Sequence, residues 1–269
     1  MESLLQQIKS NQIQEIDIWG NQIGVEGRAE LVGSLCDQRA KHIANALVAN
    51  TSVHVIDLWK NQIGDEGAKH IANALMSNTS LRVIHLWKNQ IGDEGAKHIA
   101  NALMSNTYLR VINLGWNQIG DEGAKHIANA LMSNTSLREI NLASNQIGDE
   151  GAKYISSALQ CNRNTSVRKI SLSYNQIGDK GAKHIASALL RNTSVQVIYL
   201  GSNRIGYDGT KHIRNTLKIN PYIYAEPNKY SASIFVRLYT SKKKRMGQRI
   251  FNDICTSRLM TKINKNISI

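Results

Sequence analysis

Six histidines, His42, His70, His98, His126, His184 and His212, fall at one place in a recurring segment, and a column of imidazoles is a candidate metal site. Two imidazoles sharing an ion need nitrogens within about 2.1 Å of it. Histidines on successive packed helices stand about 8–10 Å apart, so this set reads as surface residues and no metal is expected. The stretch GDEGAKH (92–98) brings glycines and a lysine together. A phosphate-cradling loop needs GxxxxGK[ST] between strand and helix, and that spacing fails here. Cys36, Cys161 and Cys255 are odd in number and follow no metal or redox spacing. A disulfide framework is not expected, and a reducing compartment is. No Ser/His/Asp or Cys/His set recurs, so the chain reads as no enzyme and as needing no cofactor.

Recognition is the chemistry left. Trp19, Trp59 and Trp87 each stand two residues before an asparagine, Trp116 is shifted by one, and these are all four tryptophans of the protein. Large rigid indoles dominate the energetics of protein interfaces. They can also cover one another and neighbouring lysine stems such as those of Lys60 and Lys88. Which role they play depends on the elements that carry them.

Those elements repeat. The triplet Asn-Gln-Ile begins at Asn21, Asn61, Asn89, Asn117, Asn145 and Asn175, with Asn203 followed by Arg-Ile, and most spacings are 28. Seven units result: 13–52, 53–80, 81–108, 109–136, 137–166, 167–194 and 195–222. Repetition this plain decides the fold ahead of local propensity. Within a unit, LRVIHL (81–86) alternates and is rich in β-branched residues, which predicts a short strand with Ile84 and Leu86 on one side and Val83 and His85 on the other. DEGAKHIANALMSN (93–106) predicts a helix whose Ile99, Ala102 and Leu103 line one face. Asp93 and Glu94 suit its positive N-terminal end, Asn106 its ending, and Gly95 close packing of turn and helix. The first unit is 12 residues too long; RAELVGSLCDQ followed by AKHIANAL reads as two helix halves joined where a strand was lost.

The pattern L81xxI84xL86xxN89xI91xxxG95xxxI99xxxL103 resembles the leucine-rich repeat, specifically the 28-residue type of ribonuclease inhibitor and of NOD-like receptor sensor domains. The resemblance implies an α/β solenoid shaped as a horseshoe, with parallel strands on the concave face and helices on the convex face. It also implies that Asn61, Asn89, Asn117, Asn145, Asn175 and Asn203 lie inside the turns, bonding backbone groups. Residues 1–220 are expected to form this domain and 221–269 a basic extension, in which SASIFVRLYT is a candidate closing strand over an otherwise open end.

Units 53–80 and 81–108 differ at four positions: Val53/Leu81, His54/Arg82, Asp57/His85 and Ser80/Tyr108. The next pair also differs at four, including His85/Asn113, Trp87/Gly115 and Lys88/Trp116. The helices stay constant while strand and turn vary, and in a horseshoe the varying positions face the concavity. The expected binding surface is therefore Asp17, Trp19, Asp57, Trp59, Lys60, His85, Trp87, Lys88, Asn113, Trp116, Tyr174 and Tyr199. Ribonuclease inhibitor-like proteins are similar in placing aromatic residues on this face. Glu15, Asp17 and Asp57 make the beginning acidic, so the expected partner is a protein with a basic, partly apolar surface rather than a small molecule.

Charge is concentrated at the other end. Of a formal +13, residues 218–269 hold 11 Lys/Arg against Glu226 and Asp253, a net of +9. Lys242, Lys243, Lys244 and Arg245 form a cluster suited to nuclear import, nucleic acid or an anionic membrane. The N-terminus lacks the pattern of a secretory signal, and no apolar run approaches the roughly 18–20 residues of a membrane span. Cytoplasm is the expected location, with the nucleus open to the cluster. The NTS triplets at Asn50, Asn78, Asn134, Asn164 and Asn192 therefore read as helix-end turns rather than glycosylation sites. Two other functions stay open: a GTPase-activating regulator, which Ran GTPase-activating proteins suggest by resembling this repeat class, and an amplified repeat array attached through its tail.

Overall fold

The computed structural model describes residues 2–18, 29–161, 166–219, 223–227 and 234–238. Helix and strand alternate. α1 (Glu2–Lys9) is followed by β1 (Glu15–Asp17), α2 (Ala29–Val48), β2 (Val55–Asp57), α3 (Asp65–Ser77), β3 (Val83–His85), α4 (Asp93–Ser105) and β4 (Val111–Asn113). Then come α5 (Asp121–Ser133), β5 (Glu139–Asn141), α6 (Asp149–Gln160), β6 (Lys169–Ser171), α7 (Asp179–Leu189), β7 (Val197–Tyr199) and α8 (Tyr207–Ile219). The strands β1 to β7 form one open parallel sheet in chain order, and the helices pack on its other side, as a leucine-rich repeat solenoid requires. β9 (Ile234–Leu238) pairs antiparallel with β7, and β8 (Ile223–Pro227) pairs with β9.

One coil cannot bury its own apolar face, and stacking solves this. In the coil of β3 and α4, Leu81, Ile84, Leu86, Ile91, Ile99 and Leu103 are all buried, and their counterparts repeat that burial along the stack. Gly95 is the closest approach of helix to preceding coil. A Cβ there would stand 2.6 Å from Asp65 Oδ1 and 2.8 Å from Ile91 Cγ2, so only glycine lets α4 sit down on its neighbour.

Polar ladders run between the layers. Asn89 donates through Nδ2 to the carbonyls of Leu58 (3.0 Å) and Leu86 (2.9 Å), and its Oδ1 accepts from the Asn61 and Ile63 amides, both at 3.0 Å. Asn117, Asn145, Asn175 and Asn203 each donate in the same way to their own and the preceding coil. The asparagines thus do more than close their own turns: each ties two coils. Asn61 donates to the Ile18 carbonyl, while its buried Oδ1 has no partner among the described residues.

A second ladder was hidden in the NTS triplets. Asn106, their equivalent in an Asn-Thr-Tyr triplet, is buried, donates to the Leu75 (2.7 Å) and Asn78 (3.2 Å) carbonyls, and accepts from the Tyr108 and Leu109 amides at 2.9 and 2.8 Å. Asn78 and Asn134 repeat this. Asn164 lies outside the described residues.

The helix-opening acids stand in the first turn as expected, Asp93 and Glu94 in that of α4. Asp93 also accepts from Gly120 N (2.7 Å) and Gly123 N (2.9 Å), so its hydrogen bonds serve the start of α5. The residue before α4, Gly92, supplies no side-chain cap, and Asp65 of the preceding coil accepts its amide at 2.7 Å. An aspartate in a first turn projects forward along the stack, where the next helix offers free N–H groups. Glu94 pairs instead with Lys97 three residues on, at 2.9 Å.

The long first unit contains a single 20-residue helix, α2. Asp37, in its middle, accepts from Gly64 N at 2.9 Å, the role Asp65 plays one coil later. The second half of α2 is therefore the regular repeat helix, extended backwards.

Candidate functional site

The site is built where each strand ends and its turn begins. Asp57, His85, Asn113, Asn141, Ser171 and Tyr199 end β2 to β7 in register. Their side chains alternate with the buried Ile of each strand and stand on the open face, half-buried. Asp17 is the register partner of Asp57 on β1. Further along the turn, the backbone becomes left-handed: φ is 59° at Lys60, 57° at Lys88, 51° at Trp116 and 55° at Tyr174. These four are equivalents, so Trp116 stands where Lys88 stands one coil earlier, and Gly115 takes the place of Trp87. A left-handed non-glycine residue costs roughly 1–2 kcal/mol; here the ladder of backbone bonds, such as Lys88 N to Gly115 O at 2.9 Å, holds it.

The tryptophans meet. Trp59 and Trp87 have ring centroids 5.1 Å apart at 36°, and Trp87 meets Trp116 edge to face at 6.1 Å and 69°. Lys88 Nζ lies 5.3 Å over the Trp116 ring, so the lysine covers the next coil's indole rather than its own. Self-packing is real, yet it leaves Trp116 53% exposed and Trp59 and Trp87 partly exposed. Beside the rings is an open depression of about 290 Å³ lined by Asp57, Trp59, His85, Trp87 and Asn113.

At the acidic end of this depression, Asp57 accepts the Trp59 amide at 3.0 Å. Burial pushes its carboxyl pKa up, the Trp59 bond and His85 pull it down, and Asp17 and Glu15 add to the rise. The carboxylate is therefore partly stripped of water and lacks a full countercharge. Asn113 and Asn141 make the same bond, to Gly115 N and Ala143 N, at 3.0 and 2.9 Å.

The expected set thus divides. Asp17, Asp57, Trp59, Lys60, His85, Trp87, Lys88, Asn113 and Trp116 lie on one stretch of β1 to β4 and its turns. Tyr174, 65% exposed, and Tyr199 lie on the sixth and seventh coils, away from the indoles. There Lys169 bridges the Glu139 carboxylate and the Tyr199 ring. Trp19 and the cluster Lys242, Lys243, Lys244 and Arg245 lie outside the described residues. Two features were missed. Gly115 gives the Trp87 ring its space, and Arg82, Arg110, Arg138 and Arg168 stand in one column at the entry to the strands. The column had a signal in the arginine recurring directly before β3, β4, β5 and β6. Among the described residues no three His, Cys, Asp or Glu side chains converge as a metal site would need.

The Leucine Rich repeat family model matches five segments, 49–72, 77–100, 105–128, 133–156 and 163–186. No curated protein matches the sequence. Among solved structures, the tropomodulin C-terminal domain from Caenorhabditis elegans is 16% identical, with a TM-score of 0.47, covering 61% of this chain and 92% of its own. Leiomodin-1 actin-binding site 2 is 17% identical, with a TM-score of 0.34, covering 82% and 88%. An internalin from Listeria monocytogenes is 20% identical, with a TM-score of 0.43, covering 76% and 59%. The matched segments, one to a coil, each overlap a helix of the parallel stack, and the coils over residues 49–186 are leucine-rich repeats.

Proposed function

We propose that this protein is a non-catalytic recognition module that binds a protein partner on the open face of β1 to β4. The carrying observation is the continuous run Trp59–Trp87–Trp116 beside a depression lined by the half-buried Asp57 carboxylate. The indoles supply large apolar burial at low entropic cost. Asp57, with Asp17 and Glu15 behind it, receives a lysine or arginine of the partner, whose cation also meets the ring faces. Lys60 and Lys88, in the turns directly after Trp59 and Trp87, repel a partner that would bring its cation to those turns. The left-handed turns at Lys60, Lys88 and Trp116 hold these side chains in place, so little order is lost on binding.

A displayed random-peptide library tests this, selected on the wild type and counter-selected on a Trp59→Ala/Trp87→Ala variant. The expected peptides join a Lys or Arg to an apolar neighbour and lose at least about 2 kcal/mol of affinity for the variant. Peptides that bind both proteins equally, with the variant's far-UV spectrum intact, would remove the strip from the interface.

A further inference from the structure

Arg82, Arg110, Arg138 and Arg168 each precede a strand, and their backbones are bonded in register. Arg110 N donates to Arg82 O at 2.8 Å, Arg138 N to Arg110 O at 2.7 Å, and Arg168 N to Arg138 O at 2.8 Å. Four guanidinium-bearing residues therefore stand on successive coils, with strand neighbours about 4.8 Å apart. Like charges opposite one another on adjacent strands oppose the fold. Arg82, Arg110 and Arg138 make no ion pair with any described carboxylate, and the nearby Glu139 is taken by Lys169.

The side chains are held rather than free to sweep. Arg110 Nη1 donates to the Ser136 carbonyl at 2.9 Å, Arg138 Nη1 to Ser166 at 2.9 Å and Arg168 Nη1 to Ser194 at 3.0 Å. Arg82 turns back to the Thr79 and Ser80 carbonyls at 2.8 and 2.7 Å and lies 5.3 Å over the Tyr108 ring. In Arg82, Arg110 and Arg138 the nitrogen so engaged is Nη1, and a guanidinium carries five N–H donors. Side chains already fixed by carbonyls and stacking lose little entropy when an anion arrives.

We propose that this rim binds an acidic, extended polypeptide segment whose carboxylates seat on the guanidinium forks of Arg82, Arg110 and Arg138. A carboxylate matches that fork with two parallel hydrogen bonds. Single-stranded nucleic acid is the competing polyanion, and it uses rows of aromatic platforms. Here the rim offers Tyr108 alone, already covered by Arg82, with serine at its equivalents Ser80, Ser136, Ser166 and Ser194. The site stands on different residues from the tryptophan strip and does not depend on it.

The test is anisotropy of a labelled peptide alternating Glu and Ser, titrated with the full chain at low and high salt, beside its Gln-for-Glu counterpart and an oligo-dT of similar length. The acidic peptide is expected to bind at low salt, and the neutral one not. Arg110→Gln/Arg138→Gln should weaken binding at least about tenfold, and the corresponding Lys pair should recover part of it. The Arg82 side chain bonds carbonyls only one to three residues back in the chain, whereas Arg110 and Arg138 reach across to the next coil, so Arg82→Gln gives a weakening that no loss of side-chain hydrogen bonds between coils can produce. Trp59→Ala/Trp87→Ala should leave this affinity unchanged, which separates it from the open-face interaction. The proposal is overturned if the wild type does not bind, if all three Gln substitutions leave binding intact because residues 242–245 hold the peptide, or if oligo-dT binds more tightly.

Discussion

A Cβ on Gly115 would stand 2.8 Å from Trp87 Cδ1 and 3.2 Å from the Ala143 carbonyl oxygen. The indole of one coil thus occupies the space that the next coil's residue vacates. The loss of tryptophan at position 115 and its appearance at 116 are linked: the ring at 87 needs the gap, and the ring at 116 closes the strip beyond it. Gly115→Ala is expected to push the Trp87 ring aside. Overpacking of this kind costs about 1–3 kcal/mol. Urea unfolding reads that cost, and the near-UV circular dichroism of the paired indoles should change with it. An unaltered near-UV spectrum would refute the contact.

Asn117→Ala removes donors to the Leu86 and Leu114 carbonyls and the acceptor for the Ile91 amide. Each buried group left unpaired costs about 1–3 kcal/mol, so a loss of at least about 3 kcal/mol is expected from denaturant melts. Hydrogen exchange at the Ile91 amide, one coil away, should rise. If exchange rises only around residue 117, the asparagine acts within its own turn and the ladder is not cooperative.

Asp93→Ala distinguishes whose helix the aspartate serves. Its Oδ1 accepts from Gly120 and Gly123, so these amides should lose protection while Gly92 and Gly95, held by Asp65, keep theirs. Loss of a cap costs typically about 1 kcal/mol. Deprotection of Gly95 instead would reverse the assignment.

Asp57→Asn keeps the acceptor for the Trp59 amide, as Asn113 does for Gly115, and removes the charge. The Asp57 pKa is raised in the fold, chiefly by burial. Ionisation therefore opposes folding above the raised folded pKa, and the penalty vanishes below the unfolded value near 3.9. The variant should be at least as stable as wild type at neutral pH, and the difference should close as pH falls through that window. Binding of a cationic peptide to the open face should weaken at neutral pH. A variant less stable at neutral pH would show that the carboxylate is held by a favourable partner.

Much was legible from spacing alone. The 28-residue period, the alternation in LRVIHL and the helical placing of Ile99, Ala102 and Leu103 specify strand, turn and helix, because stacked coils bury only residues that repeat. The turn asparagines recurred with the same period, and the resemblance to the leucine-rich repeat implied their place inside the turns. The direction of their second bonds was not legible, nor was the partner of Asp93, since a sequence shows what recurs and not which coil a side chain leans towards. The NTS asparagines recurred as plainly, yet reading them as turns concealed that burial gives them a partner in the preceding coil.

The sequence by itself determined the repeat, the strand and helix of each coil, and the positions free to vary. Only the tertiary structure decided that Trp59, Trp87 and Trp116 touch while Tyr174 and Tyr199 stand apart, that Lys88 covers Trp116, and that four arginines line up along one rim. Periodicity places residues on a face, but contact between coils depends on the left-handed turn and on the space a glycine leaves, and those exist only once the coils are stacked.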